Sequence, residues 1–501
     1  MADTSWKGFL CNTSLHGARY LTENNFLRRA FWLFVVLAGF AGFIYQSFLS
    51  ITSFYSWPVS TVMMTEWHKE MNFPAVTICN FNPISKSRYA QNYGNLFNLS
   101  TQDSNNIING IIFLMSAPRD SSQKSKFSQF PIDNYTQRGP MLGKSLRSYA
   151  HSIDGILSLK WLEPCKYSGK ECGKNSFSTF EHLRYGSCHT FNSDGQFGLK
   201  VDSIGPISGL QLRLNVEEKD HVSNLYGLQA GFKVLVHDPR EHPMIEETGF
   251  ALQPGTHTFC SVRMKKYVNL KAPYRTECGE NITDFNRYFN VNYTMAICSK
   301  QCLHDYGIKK CGCQPIFEIT KDVPLCSLND TFECIYPTYN GPYPREAAEC
   351  FKKSCPVPCY YTKYETKLSY ASAISNAIAR DIPTYLLPNG SEFDDIEKMT
   401  EGERKTFFRE NVASLDVYFE ELSYDLIEQK PSFDRWSLIA MIGGYLGLFL
   451  GMSLLTVLEF FDLLVMKFLN RISSNKKGVN TVTVEPQESQ NTFAFKQGPT
   501  V

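Results

Sequence analysis

The sequence predicts a membrane protein in which two transmembrane helices flank a large, disulfide-rich α+β extracellular domain. Three observations carry that expectation. Two long apolar runs lie near the ends of the 501-residue chain, basic residues flank the outer side of each, and all but one of the 16 cysteines fall between them. A formal net charge of +1 gives no basic surplus of the kind that nucleic acid attracts.

Residues 1–29 form a polar leading tail. The first apolar run, from Ala30, carries no formal charge and occupies 30–52, enough for the ~20 residues that cross a bilayer. A cleaved signal peptide is the competing reading. Its apolar core of ~7–15 residues would lie closer to the start and precede a small-residue cleavage site, which is not found here. Arg28 and Arg29 stand just before this run, and Lys467, Arg471, Lys476 and Lys477 follow the second. Basic residues favour the cytosolic side, so both tails are expected inside and 53–431 outside, as a multi-pass protein of the plasma membrane.

Cysteine use agrees, because disulfides persist outside the cell and only Cys11 lies on the expected cytosolic side. Asn98, Asn134, Asn281, Asn292, Asn329 and Asn389 open glycosylation sequons in the same segment. Within it, GLQLRLNVEE, AGFKVLVHD and ASLDVYFEELSYD alternate like strands, and Asp238-Pro239 reads as a turn. Residues 295–360 hold nine cysteines, and the spacings Cys298-x3-Cys302 and Cys355-x3-Cys359 suit two facing helices joined as a stiff rod. Zinc is the rival reading of these cysteines, but no Cys-x2-Cys pair occurs, and no metal or cofactor site is expected. The odd count leaves one thiol unpaired, and spacing alone leaves the connectivity open. The segment 465–501 forms a second cytosolic tail, polar from about Ser473.

The second apolar run, Trp436–Asp462 within 432–464, is the most informative. It carries Gly443, Gly447 and Gly451 at four-residue spacing and ends in Glu459 and Asp462. Read as one continuous helix, it places Gly451 and Asp462 within roughly 20° around the axis, with Glu459 within about a quarter turn. Glycine stripes also serve plain helix packing, and terminal charges also sit among headgroups. A face that combines small residues and carboxylates reads as the lining of a water-filled ion pore.

Five stretches then recur in a recognisable order. They are Ser14-Leu15-His16-Gly17; Phe73 through Cys79-Asn80; the cysteine-rich middle; Leu415-Asp416 through Glu420 to Ile427-Glu428-Gln429-Lys430; and Gly443-Gly444 through Gly451-Met452-Ser453 to Glu459. Together, from about Ser14 to Asp462, they resemble the degenerin, epithelial sodium channel and acid-sensing ion channel family, closest in layout to acid-sensing channels.

The resemblance implies a voltage-independent, sodium-selective channel, blocked by amiloride-type compounds and assembled as a homotrimer or as a heterotrimer with related subunits. It implies a palm, finger and thumb ectodomain, the thumb at about 278–359. It implies disulfides Cys79–Cys188, Cys165–Cys172, Cys278–Cys359, Cys298–Cys355, Cys302–Cys350, Cys311–Cys334 and Cys313–Cys326, leaving Cys260 free. Gly451, Met452 and Ser453 would form the selectivity filter, Glu459 and Asp462 the inner cation ring, and Gly443, Gly444 and Gly447 the pore packing. His16, Gly17, Trp57, Tyr274, Leu422, Ser423, Ala440 and Met441 fall at gating positions. Met452 departs from the small residue usual in the filter, and Met441 from an Asp common in acid-sensing relatives.

Extracellular protons are the favoured stimulus, with a peptide or other small ligand, or constitutive opening, as the alternatives. Proton gating needs carboxylates whose pKa is raised by burial or like charge. Candidates are Glu241, Glu246 and Glu247, expected in the finger and facing Glu346 and Glu349 of the thumb, with Asp416, Glu420 and Asp425 on the lower palm. A two-span ectoenzyme would require phosphate-binding glycine loops, and none is found.

Overall fold

The computed structural model describes residues 8, 10, 11, 13–88, 148–182, 184–193, 198–222, 229–315, 323–326, 330–381, 396 and 398–477. The chain forms two compact units, Met1–Pro58 with Pro431–Val501, and Val59–Lys430. The sequons at Asn98, Asn134, Asn329 and Asn389 lie outside the described residues. Asn281 and Asn292 are exposed.

Helix α1, Phe26–Tyr55, begins where the Asn25 side chain accepts the amides of Leu27 and Arg28. It therefore runs past the expected 30–52 at both ends. It is long and apolar enough to cross a membrane and almost none of it is buried within the chain, which fits a lipid-facing element.

The larger unit contains two principal sheets. In chain order the strands are β1 (Val59–Trp67), β2 (Ala75–Asn80), β3 (Cys165–Tyr167), β4 (Lys170–Glu171), β5 (Phe177–His182), β6 (Gly186–Phe191), β7 (Leu210–Asn215), β8 (Phe232–His237), β9 (Phe250–Leu252), β10 (Thr256–Val268), β11 (Tyr360–Ser372) and β12 (Val412–Pro431). One sheet has the order β11-β10-β12-β7-β3-β4 with β1 also paired to β12, and the other β9-β8-β2-β6-β5. Leu210, Leu212 and Leu214 alternate inward from β7 and pack with Phe73, Ile78, Phe232, Leu415, Val417 and Phe419. The parallel pair β10–β12 slips in register: Val262 faces Phe419, whereas Met264 faces Tyr424. The extra residues on β12 therefore bulge at 420–423.

Seven disulfides join the same partners that the resemblance implies, and Cys260 is a buried free thiol. Cys79 and Cys188 face each other across β2 and β6. The cysteine-rich region is built on α2 (Asp284–Phe289), α3 (Met295–Cys311) and α4 (Arg345–Ser354). Cys298 and Cys302 share a face of α3 as expected. The second helix differs from the expectation, because α4 carries Cys350 and ends before Cys355, while Cys359 directly precedes β11. Pro356 and Pro358 account for that stop, since proline lacks the amide that a helix requires.

The second apolar run is not one helix. Helix α5 (Glu401–Asn411) precedes β12; after it, α6 (Arg435–Leu450) and α7 (Leu454–Lys477) meet at a 79° bend. The shared face computed for a continuous helix from Gly443 to Asp462 therefore does not exist. The expected end at 464 is also overrun, because α7 continues to Lys477. Within this unit α6 packs on α1 through glycines: a Cβ at Gly39 would stand 2.8 Å from the Phe449 carbonyl oxygen, and one at Gly42 2.9 Å from its ring. Ser50 donates to the Tyr445 hydroxyl at 3.3 Å, and the Ser432 amide donates to Pro58 at 2.9 Å.

One buried ion cluster anchors the large sheet. Asp416, 2% exposed, receives Arg213 at 2.8 Å and His257 at 2.9 Å. Removing one partner of a buried ion pair costs ~3–5 kcal/mol. Arg213→Ala is expected to destabilise the protein by about 3 kcal/mol, with His257 still in place. Denaturant unfolding of the full-length protein measures it, and a loss below about 1 kcal/mol would contradict this placement of the charge.

Candidate functional site

The break between α6 and α7 is written in three residues. Gly451 adopts φ +62°, and its amide and that of Met452 close on Gly447 and Leu446 at 2.9 and 3.4 Å, a left-handed glycine stop. Ser453 then starts the next helix. Its hydroxyl accepts the Thr456 amide at 3.4 Å while the Thr456 hydroxyl accepts the Ser453 amide at 3.2 Å, a reciprocal cap. Glycine as a stop and Ser-x-x-Thr as a start were both readable in the sequence. Among the described residues, no hydrogen bond is made to the carbonyls of Gly451 or Met452.

The His-Gly motif docks on this break. The His16 amide donates to Leu450 at 3.1 Å, the His16 Nδ1 lies 3.0 Å from the Ser14 carbonyl, and the Ser14 and Thr456 hydroxyls are hydrogen-bonded. A Cβ on Gly451 would stand 2.5 Å from His16 Nδ1, so the ring lies directly on the glycine. Gly17, at φ +86°, turns the chain where a Cβ would meet Trp32 at 2.9 Å. Tyr20 stacks on Trp32 at 4.6 Å, with the Arg28 guanidinium over Tyr20 at 4.7 Å. His16 is exposed, and its amide and ring meet the break directly.

Glu459 and Asp462 are both exposed and sit three residues apart on α7, so they share a face of that helix. Gly443 and Gly444 are exposed on α6, with open space where a Cβ would be, and Gly447 approaches only the Met452 carbonyl at 3.9 Å. Among the described residues, the small stripe is thus left open. Ala440 is exposed and Met441 half-buried on α6. Trp57 packs on Phe54 at 5.5 Å, and Tyr274 lies in a turn closed by Glu277. Leu422 and Ser423 fall in the β12 bulge, where the Leu422 carbonyl accepts the His68 amide at 2.9 Å.

The carboxylate candidates separate into distinct environments. Burial would raise the pKa of Asp416, but His257 and Arg213 more than offset it and hold the carboxyl below its usual range. Glu420, on the bulge, is held down by hydrogen bonds from Lys367 and Arg263. These two stay ionised as pH falls towards 5, so the lower-palm expectation is revised for them. Asp425 accepts from Thr65 at 2.8 Å. Glu246 receives Arg184 at 2.8 Å, Glu346 receives Lys309 at 3.4 Å and Glu349 receives Arg345 at 3.3 Å. Glu247 is exposed. Glu246, Glu346 and Glu349 thus each have a cationic partner.

Glu241 is the exception. Burial pushes its carboxyl up to about 8, Asp238 adds to the rise, and Arg240 opposes it. Arg240 is itself committed to Asp238, which its Nε meets at 3.3 Å.

A family model described as amiloride-sensitive sodium channel matches residues 9–463. The chain is 30% identical to acid-sensing ion channel 1B of Danio rerio, over 93% of this chain and 78% of that one. It is 28% identical to acid-sensing ion channel 2 of Homo sapiens, covering 96% and 92%. It is also 26% identical to the bile acid-sensitive ion channel of Homo sapiens, covering 92% and 85%.

Gly451→Ala tests the docked loop. A side chain at this left-handed position costs ~1–2 kcal/mol and pushes against His16. In full-length protein, the variant is expected to expose the segment around Ser14–Gly17 to limited proteolysis several-fold faster than the parent. Equal cleavage rates would contradict the contact.

Proposed function

The chain belongs to the amiloride-sensitive sodium channel family, whose members are ion channels and not enzymes; from that premise we propose that it is a voltage-independent cation channel that passes sodium in preference to potassium. The interrupted second run carries this reading. In it, α6 and α7 together form the second span, and copies of the chain assemble as a trimer around the α6 glycine face. Both termini lie in the cytosol. The open Cβ space at Gly443 and Gly444 supports a close neighbour there.

At the break, the carbonyls of Gly451 and Met452 and the Ser453 hydroxyl replace part of an ion's hydration shell as three copies converge. Met452 is the filter's variable element, because its side chain sets how narrow the ring becomes. Rings of Glu459 and Asp462 on α7 then concentrate cations and repel anions. The His16-Gly17 loop braces the break, so movement of the tail changes the filter's width. Ala440 and Met441 lie on the α6 stretch that opens and closes, and amiloride-type blockers enter the same path.

External protons are the favoured stimulus, and Glu241 supports that choice. A neutral carboxyl stabilises its buried arrangement. With the pKa raised to about 8, that contribution is complete below about 4.5 and is lost as pH rises through about 8. The sensitive window therefore lies between about 4.5 and about 8. Trp57, Tyr274, Leu422 and Ser423 are the positions through which such a change would reach the pore, the bulge at 420–423 being the pliable part of β12.

A small-ligand stimulus is the second reading. It is favoured by a cavity of about 800 Å³ lined by Phe81, Tyr185 and Leu252, with Lys233 and the Arg184–Glu246 pair at its wall, which suits an amphipathic molecule.

Voltage clamp of the chain expressed alone separates these readings. Acid steps from about pH 9 are expected to evoke currents whose reversal potential shifts when sodium is replaced by potassium. Glu241→Gln is expected to flatten the pH dependence between about pH 4.5 and 8 while leaving that shift intact. An unchanged profile in the variant would remove Glu241 from sensing, and an unshifted reversal potential would remove sodium preference.

A further inference from the structure

In the larger unit, one face of the main sheet carries a cleft of about 660 Å³. Strand register sets its floor. Met264 of β10 lies between Tyr364 of β11 and Tyr424 of β12, and Lys266 lies two residues further along β10, level with Thr362. Side chains two apart share a face of a strand, so Met264, Lys266, Thr362, Tyr364 and Tyr424 stand on the same side, and Tyr360 continues the row. Residues 68–73 and the turn at 238–240 form the rim. They bring Phe73 and two ion pairs, Lys200 with Glu70 and Arg240 with Asp238.

Lys266 is the unbalanced charge in this cleft. Arg263 and Lys265 project from the opposite face of β10 and meet carboxylates there, Glu420 and Glu421 for the first and Glu365 for the second. Among the described residues, Lys266 meets no carboxylate within ion-pair distance. Its ammonium lies instead 3.7 Å from the centre of the Tyr424 ring. That ring is fixed by stacking on His68 at 4.9 Å and by a hydrogen bond from its hydroxyl to Glu66. Burial lowers the pKa of Lys266, with the charge of Glu66 opposing. The contact with a ring replaces only part of the hydration that burial removes. The rim cations are already matched, so one positive charge is left over an aromatic and thioether floor. An anion beside Lys266 would restore the balance, and the tyrosines would pack on a flat apolar body. Small-molecule sites span about 300–1,000 Å³, and this cleft falls within that range.

We propose that this cleft binds a small aromatic carboxylate, a monoanion whose charge pairs with Lys266 while its ring packs on Tyr360 and Tyr364. Such a ligand would tie residues 68–73 to β12 directly after the bulge at 420–423. The cleft shares no lining residue with the cavity beside Phe81, and its ligand is independent of the pore reading.

The test uses purified full-length protein in detergent and the probe para-benzoylbenzoate, a photoreactive aromatic carboxylate that inserts into nearby C–H bonds, those of methionine above all. Irradiation is expected to label Met264 or Met71, both in the cleft, as read by peptide mass spectrometry. Labelling is expected to saturate and to be competed by naphthoate. Lys266→Gln is expected to reduce it at least roughly fivefold, as is replacing the probe by its neutral amide, since either change removes the charge pair. Tyr360→Ala is expected to reduce it roughly threefold through lost ring packing. Labelling that misses both methionines overturns the proposal, as does equal labelling of the parent and Lys266→Gln. If Lys266→Gln fails to fold, the comparison of acid and amide on the parent decides, and equal labelling by the two overturns the proposal.

Discussion

A helix interrupted within an apolar run frees backbone groups that lipid cannot satisfy, and the proposed pore depends on how this chain meets that constraint. Gly451 turns two amides back onto α6, Ser453 and Thr456 cap the start of α7, and the His16 amide takes the Leu450 carbonyl. Among the described residues, the carbonyls of Gly451 and Met452 are two of the groups left without a hydrogen bond. An unpaired carbonyl is tolerated where it lines water or meets an ion, so the leftover polarity is what the reading uses for conduction. The distant pairing of residues 14–17 with 450–456 follows from the same need.

The large unit answers a different requirement. Its sheets bury a continuous apolar core, and its disulfides tie α3 to α4 and the loops beyond. Rigidity of this kind concentrates compliance where regular pairing fails. The slip between Val262/Phe419 and Met264/Tyr424 is one such place, with Arg263 clamping Glu420 and Glu421 across it. Asp416 and Glu420 nearby are held charged by their cationic partners. Glu241 differs because burial raises its carboxyl, while Arg240, which opposes the rise, is committed to Asp238.

Much of the fold was legible. Strands Leu210–Asn215, Phe232–His237 and Val412–Pro431 follow from alternation, and α1 from an uncharged apolar run. The thumb pairing was carried by resemblance, since cysteine spacing alone allows many connectivities. The continuous pore helix was misjudged because composition was weighed over punctuation. Apolar residues on both sides of Gly451 hid a stop and a start that local capping rules describe. The His16 contact was not legible, because nothing in sixteen residues of tail announces a partner more than 400 positions away.

The central claim is that Gly451–Ser453 forms the narrow part of a cation path. Ser453→Cys, expressed as the full chain and held open under voltage clamp, tests it through Cd²⁺ coordination by the introduced thiolates. If the account is right, Cd²⁺ blocks the variant's sodium current at concentrations that leave the parent untouched, and removing the ion restores it. A variant that conducts normally and is as insensitive to Cd²⁺ as the parent would place the ion path elsewhere.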